Sequence, residues 1–489
     1  MVRRIVMASA VLLSGACAVG PDYQRPPASV PASYKELAPP GATGPDSWKP
    51  AEPRDDAPRG MWWEIFGDPI LNGLEARIDV SNQNLALAEA QFRGARAAVL
   101  GARADLFPTL ATAPSAARSS ASTTAPGAPA GAPRTTGNNF QVPLGVAWEA
   151  DVWGRIRRNV EGSVATAQAS AADLEAVRLS LHAELALDYF QLRGADAERR
   201  LLETNVAAYE KALQLTVNRY RQGVVSGVDV ALAQTQLETT RAQATDLRIT
   251  RAQLEHAIAI LVGKPPADFT LAPESEDAEP PAVPVGLPSE LLERRPDIAA
   301  AERQMAAANA QIGVATAAFF PRLLLSAAGG LQSMNLANFV SAPNLFWSVG
   351  AALAETLFDG GKRRSVKEQA LAAYDGTVAA YRADVLAALA QVEDSLAALR
   401  ILSQEEREQA AAVAAARRSV TMSRNRYEGG VTTYLEVVTA QAAALSNERV
   451  AVDIRTRQMT ASVNLIKALG GVWNAPDRSP APSAGPAFP

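Results

Sequence analysis

The second part of this sequence repeats the first. Asn218, Arg219 and Tyr220 recur as Asn425, Arg426 and Tyr427, an offset of 207 residues. The register then holds without a gap through Gly223 and Gly430, Val230 and Val437, and Gln234 and Gln441, to Gly263 and Gly470. Earlier in each half, Leu106-Phe107-Pro108 mirrors Phe319-Phe320-Pro321, and Gly154 to Arg158 mirrors Gly360 to Arg364. A duplication this long means that the chain is one architectural unit written twice, so every element placed in one half predicts a partner in the other.

Within each half the hydrophobic period changes in a fixed order. Asn84 to Ala104 and Ile298 to Ala317 read as Ala-rich helices that stop just before Phe-Pro, because proline disfavours helix in the residue ahead of it. A short extended piece follows each. The Ser/Pro/Ala-rich stretch from Ala116 to Asn138 and the shorter one near Gly329 to Pro343 read as loops. Period-two segments come next. Phe140, Val142, Leu144, Val146 and Trp148 carry the apolar side of one, and Leu345, Trp347, Val349, Ala351 and Leu353 that of the other. Small or polar residues alternate with them, as in a strand with one apolar and one wet face, and the length suits a tilted membrane strand.

Long helical runs start after Gly154 and Gly361. Leu174, Val177, Leu181, Leu185, Tyr189 and Leu192 recur at threes and fours, continuing through Val206, Tyr209, Leu213, Val217 and Tyr220. Val378, Tyr381, Val385, Leu389, Val392, Leu396 and Leu399 do the same in the second half. As one helix, Ile156 to Arg221 would reach about 100 Å at 1.5 Å per residue, too long for a compact globule. Each run breaks at a turn, Gly223 to Gly227 or Gly429 to Gly430, and returns as another helix ending at Gly263 or Gly470.

The first residues read as a secretory leader: Arg3 and Arg4, an apolar core from Ile5 to Leu13, then small residues. The run from Leu12 to Cys17 resembles a bacterial lipoprotein cleavage site, which makes Cys17, the single cysteine, the expected lipidation site. Ordinary cleavage after Ala18 is the alternative. The boundaries expected are 1–16 leader, 17–60 extended segment, 61–284 first repeat, 285–474 second repeat and 475–489 disordered tail. A formal charge of −4 without a basic block argues against nucleic acid as a partner. His182 and His256 lie far apart and without ligand spacing, so neither a metal nor a cofactor is expected. No Walker loop, nucleophile elbow or catalytic cluster is present, which argues against an enzyme.

Two strands per half with one apolar face cannot close a membrane barrel alone, since membrane strands leave no edge unpaired and such barrels begin at eight strands. Two copies would supply eight strands, nearly filled by side chains, and three would supply twelve around an open lumen. The residues that bear on this also resemble a family. They are Gly20 to Pro26; Trp148, Glu149, Asp151, Trp153, Gly154 and Arg155; Gly286 to Ser289; Leu291, Leu292 and Arg294 to Asp297; Ala318 to Pro321; and Lys467 to Gly471 with Trp473. Together they are similar to the TolC-like outer-membrane factors, in the OprM/NodT-type lipoprotein branch that serves RND efflux.

That resemblance implies an α+β membrane protein with four strands per chain. Three copies would form a twelve-stranded β-barrel continuous with a long periplasmic α-helical barrel. It implies a homotrimer held in outer-membrane lipid, working with a periplasmic adaptor, or membrane fusion protein, and an inner-membrane RND transporter. It places adaptor contact at Gly223, Val224, Val225, Ser226, Gly430, Val431, Thr432 and Thr433, and a periplasmic gate at Asp229, Arg426, Tyr427, Leu435 and Thr439. Thr439 departs from relatives that carry aspartate there. A type I protein-secretion channel would share this plan. A periplasmic coiled-coil adaptor fits less well, because it has one hairpin where this chain has two.

Overall fold

A computed structural model describes residues 18–36, 60–120, 122, 136–274, 280–281, 283 and 294–471. The expected leader, Cys17 and the C-terminal tail lie outside these residues, as do Gly286 to Leu292 and Trp473. Seven α-helices and five β-strands follow one another among the described residues: α1 (Pro69–Ser81), α2 (Gln83–Ala104), β1 (Thr109–Thr112), β2 (Ser115–Ser120), β3 (Thr136–Ala150), α3 (Arg155–Arg221), α4 (Gly227–Leu261), α5 (Pro296–Ala317), β4 (Arg322–Ser333), β5 (Leu345–Ala354), α6 (Lys362–Glu428) and α7 (Tyr434–Ala468). The duplication is kept to the residue: α2 and α5 have 22 residues each, α3 and α6 have 67, and α4 and α7 have 35. Both 22-residue helices close on the same tight bonds, Phe107 N–H to Ala104 C=O and Phe320 N–H to Ala317 C=O, just ahead of their prolines.

The chain divides into two compact units. The first comprises Met1–Pro27, Gln91–Ser170 and Ala300–Tyr381, and holds the sheet. All its strand pairs are antiparallel: β1 and β2 both lie along β3, β3 along β4, and β4 along β5. β1 and β2 form one row, because Thr112 faces Leu144 and Ser115 faces Gln141. Ala113 and Pro114 interrupt it, proline having no N–H for the ladder. There are thus four rows.

Directly opposed residues share a face. Val142, Leu144, Val146 and Trp148 oppose Leu331, Gly329, Ala327 and Leu325, which oppose Leu345, Trp347, Val349 and Ala351. The two apolar sets predicted from alternation therefore lie on one face. Gln141 with Gln332, and Ser348 with Ala328 and Gly145, lie on the other. The loop reading was too generous: Ala116 to Ser120 and Thr136 to Asn138 are strand, and so are Gly329 to Ser333. Small residues on both faces erase the period-two contrast, yet backbone pairing needs no side chain. Among the described residues no helix is long and apolar enough to cross a membrane.

Sheet gives way to helix through side-chain caps. Asp151 accepts from the Ile156 and Arg157 N–H groups at 3.0 and 2.9 Å, and Asp359 accepts from the Gly361 and Arg363 N–H groups at 3.0 and 3.1 Å. These carboxylates satisfy donors that no helix end can pair internally. Trp153 stacks on Phe320 and donates to the Pro321 carbonyl at 2.8 Å, so the Trp-Gly-Arg motif fixes a junction. Residues 18–27 belong to this unit without helix or strand. Buried Arg158 holds Asp22 at 2.8 Å, and Tyr23 donates to Glu302 at 2.8 Å. A Cβ on Gly20 would stand 2.5 Å from the Gly313 Cα, so backbone meets backbone there.

The second unit comprises Ala28–Ala90, Ala171–Ala299 and Arg382–Pro489. Its main core gathers Trp62, Leu71 and Ile78 with Leu181, Leu185, Tyr189 and Leu192, the stripe predicted on α3. Burying such side chains stabilises by about 1.5–3 kcal/mol each, which explains why α1 is helical at all. The sequence reading did not anticipate α1. Asp68 caps it by accepting from the Ile70 and Leu71 N–H groups at 2.7 and 3.0 Å.

Candidate functional site at the hairpin tips

The two long helix pairs of the second unit end in five-residue links, 222–226 and 429–433. Both exits use one device. Gly223 has φ +74° and Gly430 φ +75°, values L residues avoid. The bonds match too: Gly223 N–H to Tyr220 C=O and Val224 N–H to Arg219 C=O, then Gly430 N–H to Tyr427 C=O and Val431 N–H to Arg426 C=O, all 2.9–3.0 Å. Val224 and Val431 stand exposed beyond these turns. Val225 turns inward against Ala233 and Tyr427, while Thr432 is half-buried.

The entries differ. Ser226 and Asp229 form a capping box, with the Asp229 carboxylate accepting from the Ser226 N–H at 3.1 Å and from its hydroxyl at 3.3 Å. Thr433 starts α7 without a side-chain cap. Asp229 is therefore occupied in holding the first turn of α4. Asp229→Ala is expected to cost about 1 kcal/mol there. Faster hydrogen exchange of the Gly227 to Ala231 amides would report it, and unchanged exchange would remove the cap assignment.

The structure brings Tyr427 and Tyr434 together, ring centroids 5.1 Å apart and edge to face. Tyr427 is 4% exposed. Arg219, from the other hairpin, lies over its ring at 4.6 Å and donates to its carbonyl at 2.9 Å. The Tyr434 hydroxyl is pushed up to about 12, by burial first and by the neighbouring Tyr427 next. The Tyr434 ring thus stays neutral at any physiological pH. Arg426 is exposed, 3.9 Å from Glu436, a distance at which an open ion pair contributes little. Leu435 is 55% exposed. Thr439, also exposed, donates its hydroxyl back to the Leu435 carbonyl at 2.8 Å.

Sequence reasoning named Tyr427 but missed Arg219 and Tyr434. The signal was present in the duplication. At the 207-residue offset Tyr434 replaces Gly227, over which Tyr220 folds in the first hairpin while remaining 52% exposed. Tyr434 backs the ring that Arg219 of the other hairpin covers, so one contact between the hairpins falls where the halves disagree.

A family profile described as "Outer membrane efflux protein" matches residues 77–264 and 287–471, one segment in each half. The Pseudomonas putida "Probable efflux pump outer membrane protein TtgC" is 31% identical over 474 residues, covering 96% of this chain and 95% of TtgC. The Pseudomonas aeruginosa "Pyoverdine export outer membrane protein OpmQ" is 31% identical over 476 residues, covering 97% and 98%. The solved outer-membrane channel OprN aligns with a TM-score of 0.84 and 32% identity over 94% of this chain and 100% of OprN. With both halves matched and relatives of this similarity along nearly the full length, the chain belongs to the outer membrane efflux protein family, with the fold of its channels.

Proposed function

We propose that this chain is the exit duct of a tripartite RND-type efflux pump, a homotrimer that passively conducts drugs or other small solutes out of the cell. The carrying observation is the four-row sheet with one apolar face and two open edges. An even number of antiparallel rows leaves β5 and the β1/β2 row running in opposite senses, so identical copies can join edge to edge antiparallel. Three copies give twelve rows around a lumen, and the apolar face then meets lipid. A duct has no covalent chemistry to perform. The relative named for pyoverdine export supports a small-solute cargo over a secreted protein.

In this reading Cys17 carries the lipid anchor in the outer membrane. The tips face the periplasm and receive the adaptor through Gly223, Val224, Val225, Ser226, Gly430, Val431, Thr432 and Thr433. The adaptor in turn links the duct to the inner-membrane RND transporter. Asp229, Arg426, Tyr427, Leu435 and Thr439 surround the gate. Leu435 would meet its two symmetry mates as an apolar ring, the kind of constriction that bars water and ions. Leu435→Ala is expected to raise single-channel conductance and vancomycin entry several-fold; unchanged values in both assays would remove Leu435 from the gate.

A further inference from the structure

Both halves enter the sheet and leave it in the same way. Going in, the tight bonds that close α2 and α5 make Ala104 the counterpart of Ala317, and hence Pro108 that of Pro321. Coming out, Arg158 N–H bonds to the Gly154 carbonyl and Ser365 N–H to that of Gly361, with φ +80° and +94° at the two glycines. Gly154 is therefore matched in space by Gly361, one residue beyond Gly360, its match in the sequence motif. With these two equivalences a strand pair can be carried from one half to the other. Thr109 faces Ala147; their counterparts are Arg322 and Ala354, and those two do face each other. The same transfer turns Thr112 and Leu144 into Leu325 and Ala351, again a pair in the sheet.

β3 and β4 meet where one half passes into the other, so their pairs transfer differently. β3 becomes β5, but β4 becomes the β1/β2 row, and these are the two outermost rows of the sheet, each with a neighbour on one side only. Three strand spacings of about 4.8 Å lie between them, so the transferred pairs cannot form within a chain. We propose that they form between chains: β5 of one copy pairs with the β1/β2 row of the next, in the register that β3 and β4 already use. Leu144 opposite Gly329 becomes Ala351 opposite Ala116 of the next copy, and Val142 opposite Leu331 becomes Val349 opposite its Arg118.

Face parity is an independent constraint, since a slip of one residue would set an apolar face beside a polar one. Ala351 lies opposite Leu325 on the apolar face, and Ala116 lies opposite Phe140 on that same face. The transferred register keeps them together, and it sets Ala354 opposite Ala113 on the other face, as Ala147 is set opposite Ser326. It also matches two exposed side chains. Ala150 opposite Leu323 becomes Leu357 opposite Leu110, which are 89% and 65% exposed in one chain. Such a head-to-tail seam closes into a ring when every copy repeats it. The seam rests on the duct reading, which brings the copies edge to edge; the register is what it adds.

Cysteine pairs across the seam give the test, in the full-length chain in outer-membrane fractions, with each single variant as the control for Cys17. Directly opposed residues hold their Cβ atoms about 4.5–5.5 Å apart and diagonal ones roughly 7–8 Å, while a disulfide needs about 3.5–4.5 Å. Under mild oxidation with copper–phenanthroline, Ala116→Cys/Ala351→Cys and Arg118→Cys/Val349→Cys are expected to give trimers that survive boiling in SDS and fall apart with thiol. Their yield should be at least tenfold that of the exchanged pairs, Ala116→Cys/Val349→Cys and Arg118→Cys/Ala351→Cys. All four pairs draw on the same four substitutions, so poor folding of one variant cannot produce that pattern. Heat-modifiable trimer without preferential linking of the two opposed pairs would overturn the register and leave the duct reading standing. A wild-type chain that forms no trimer would overturn both.

Discussion

Replacing Ala327 by arginine is expected to abolish the assembled outer-membrane form, whereas the same replacement one residue later, at Ala328, is expected to be tolerated. Ala327 lies between Val146 and Val349 on the apolar face, and Ala328 between Gly145 and Ser348 on the polar one. An arginine facing lipid near mid-membrane costs about 2–4 kcal/mol in a β-barrel. In the duct reading, where three copies close the barrel, every copy incurs that cost. On the other face, which that reading turns to the lumen, the guanidinium would stay in water and cost little, altering only the charge there. Heat-modifiable trimer in outer-membrane fractions gives the readout. Equal yields for the two variants would contradict the assignment of faces.

The tips should show the second large effect. Tyr427→Ala removes the ring that packs against Tyr434 and that Arg219 of the other hairpin covers, weakening the contact between the hairpins at the tips. Truncating a buried aromatic costs about 3–5 kcal/mol. In the duct reading that shifts a closed mouth toward open by a hundredfold or more, visible as vancomycin sensitivity and raised conductance. Tyr427→Phe is the control. The Tyr427 hydroxyl is buried without a hydrogen-bond partner, so its loss should leave the gate shut and gain roughly 1 kcal/mol in stability. A leaky Tyr427→Phe, or a tight Tyr427→Ala, would dissociate the aromatic contact from closure.

Periodicity made the long helices and the apolar strand faces legible, because a side chain that must be buried every 3.6 or 2 residues leaves a mark on the sequence. Ser115 to Ser120 and Gly329 to Ser333 left little: most of their side chains are small on both faces, and pairing with β3, joined by β5 for the second, makes them strand. α1 escaped for another reason. Its Gly73 and mixed polar residues dilute the helical pattern, and contact with α3 supplies what propensity lacks.

The site was legible only in part. Both tips announce themselves by glycine and valine, but nothing local in Arg219 distinguishes it from Arg426, its equivalent in the repeat. One covers a buried tyrosine and the other points to solvent. That difference goes with the residue at 434, far along the chain from Arg219, and appears only when the halves are set against each other.

Equal helix lengths with unequal tips have one more effect. Any closed ring of these chains would present its hairpin ends level with one another, yet they would alternate: one boxed by serine and aspartate, the next filled by tyrosine. A collar of identical fingers gripping that rim would meet two grades of foothold in strict alternation. Its grip would then loosen in two stages, half the fingers at a time.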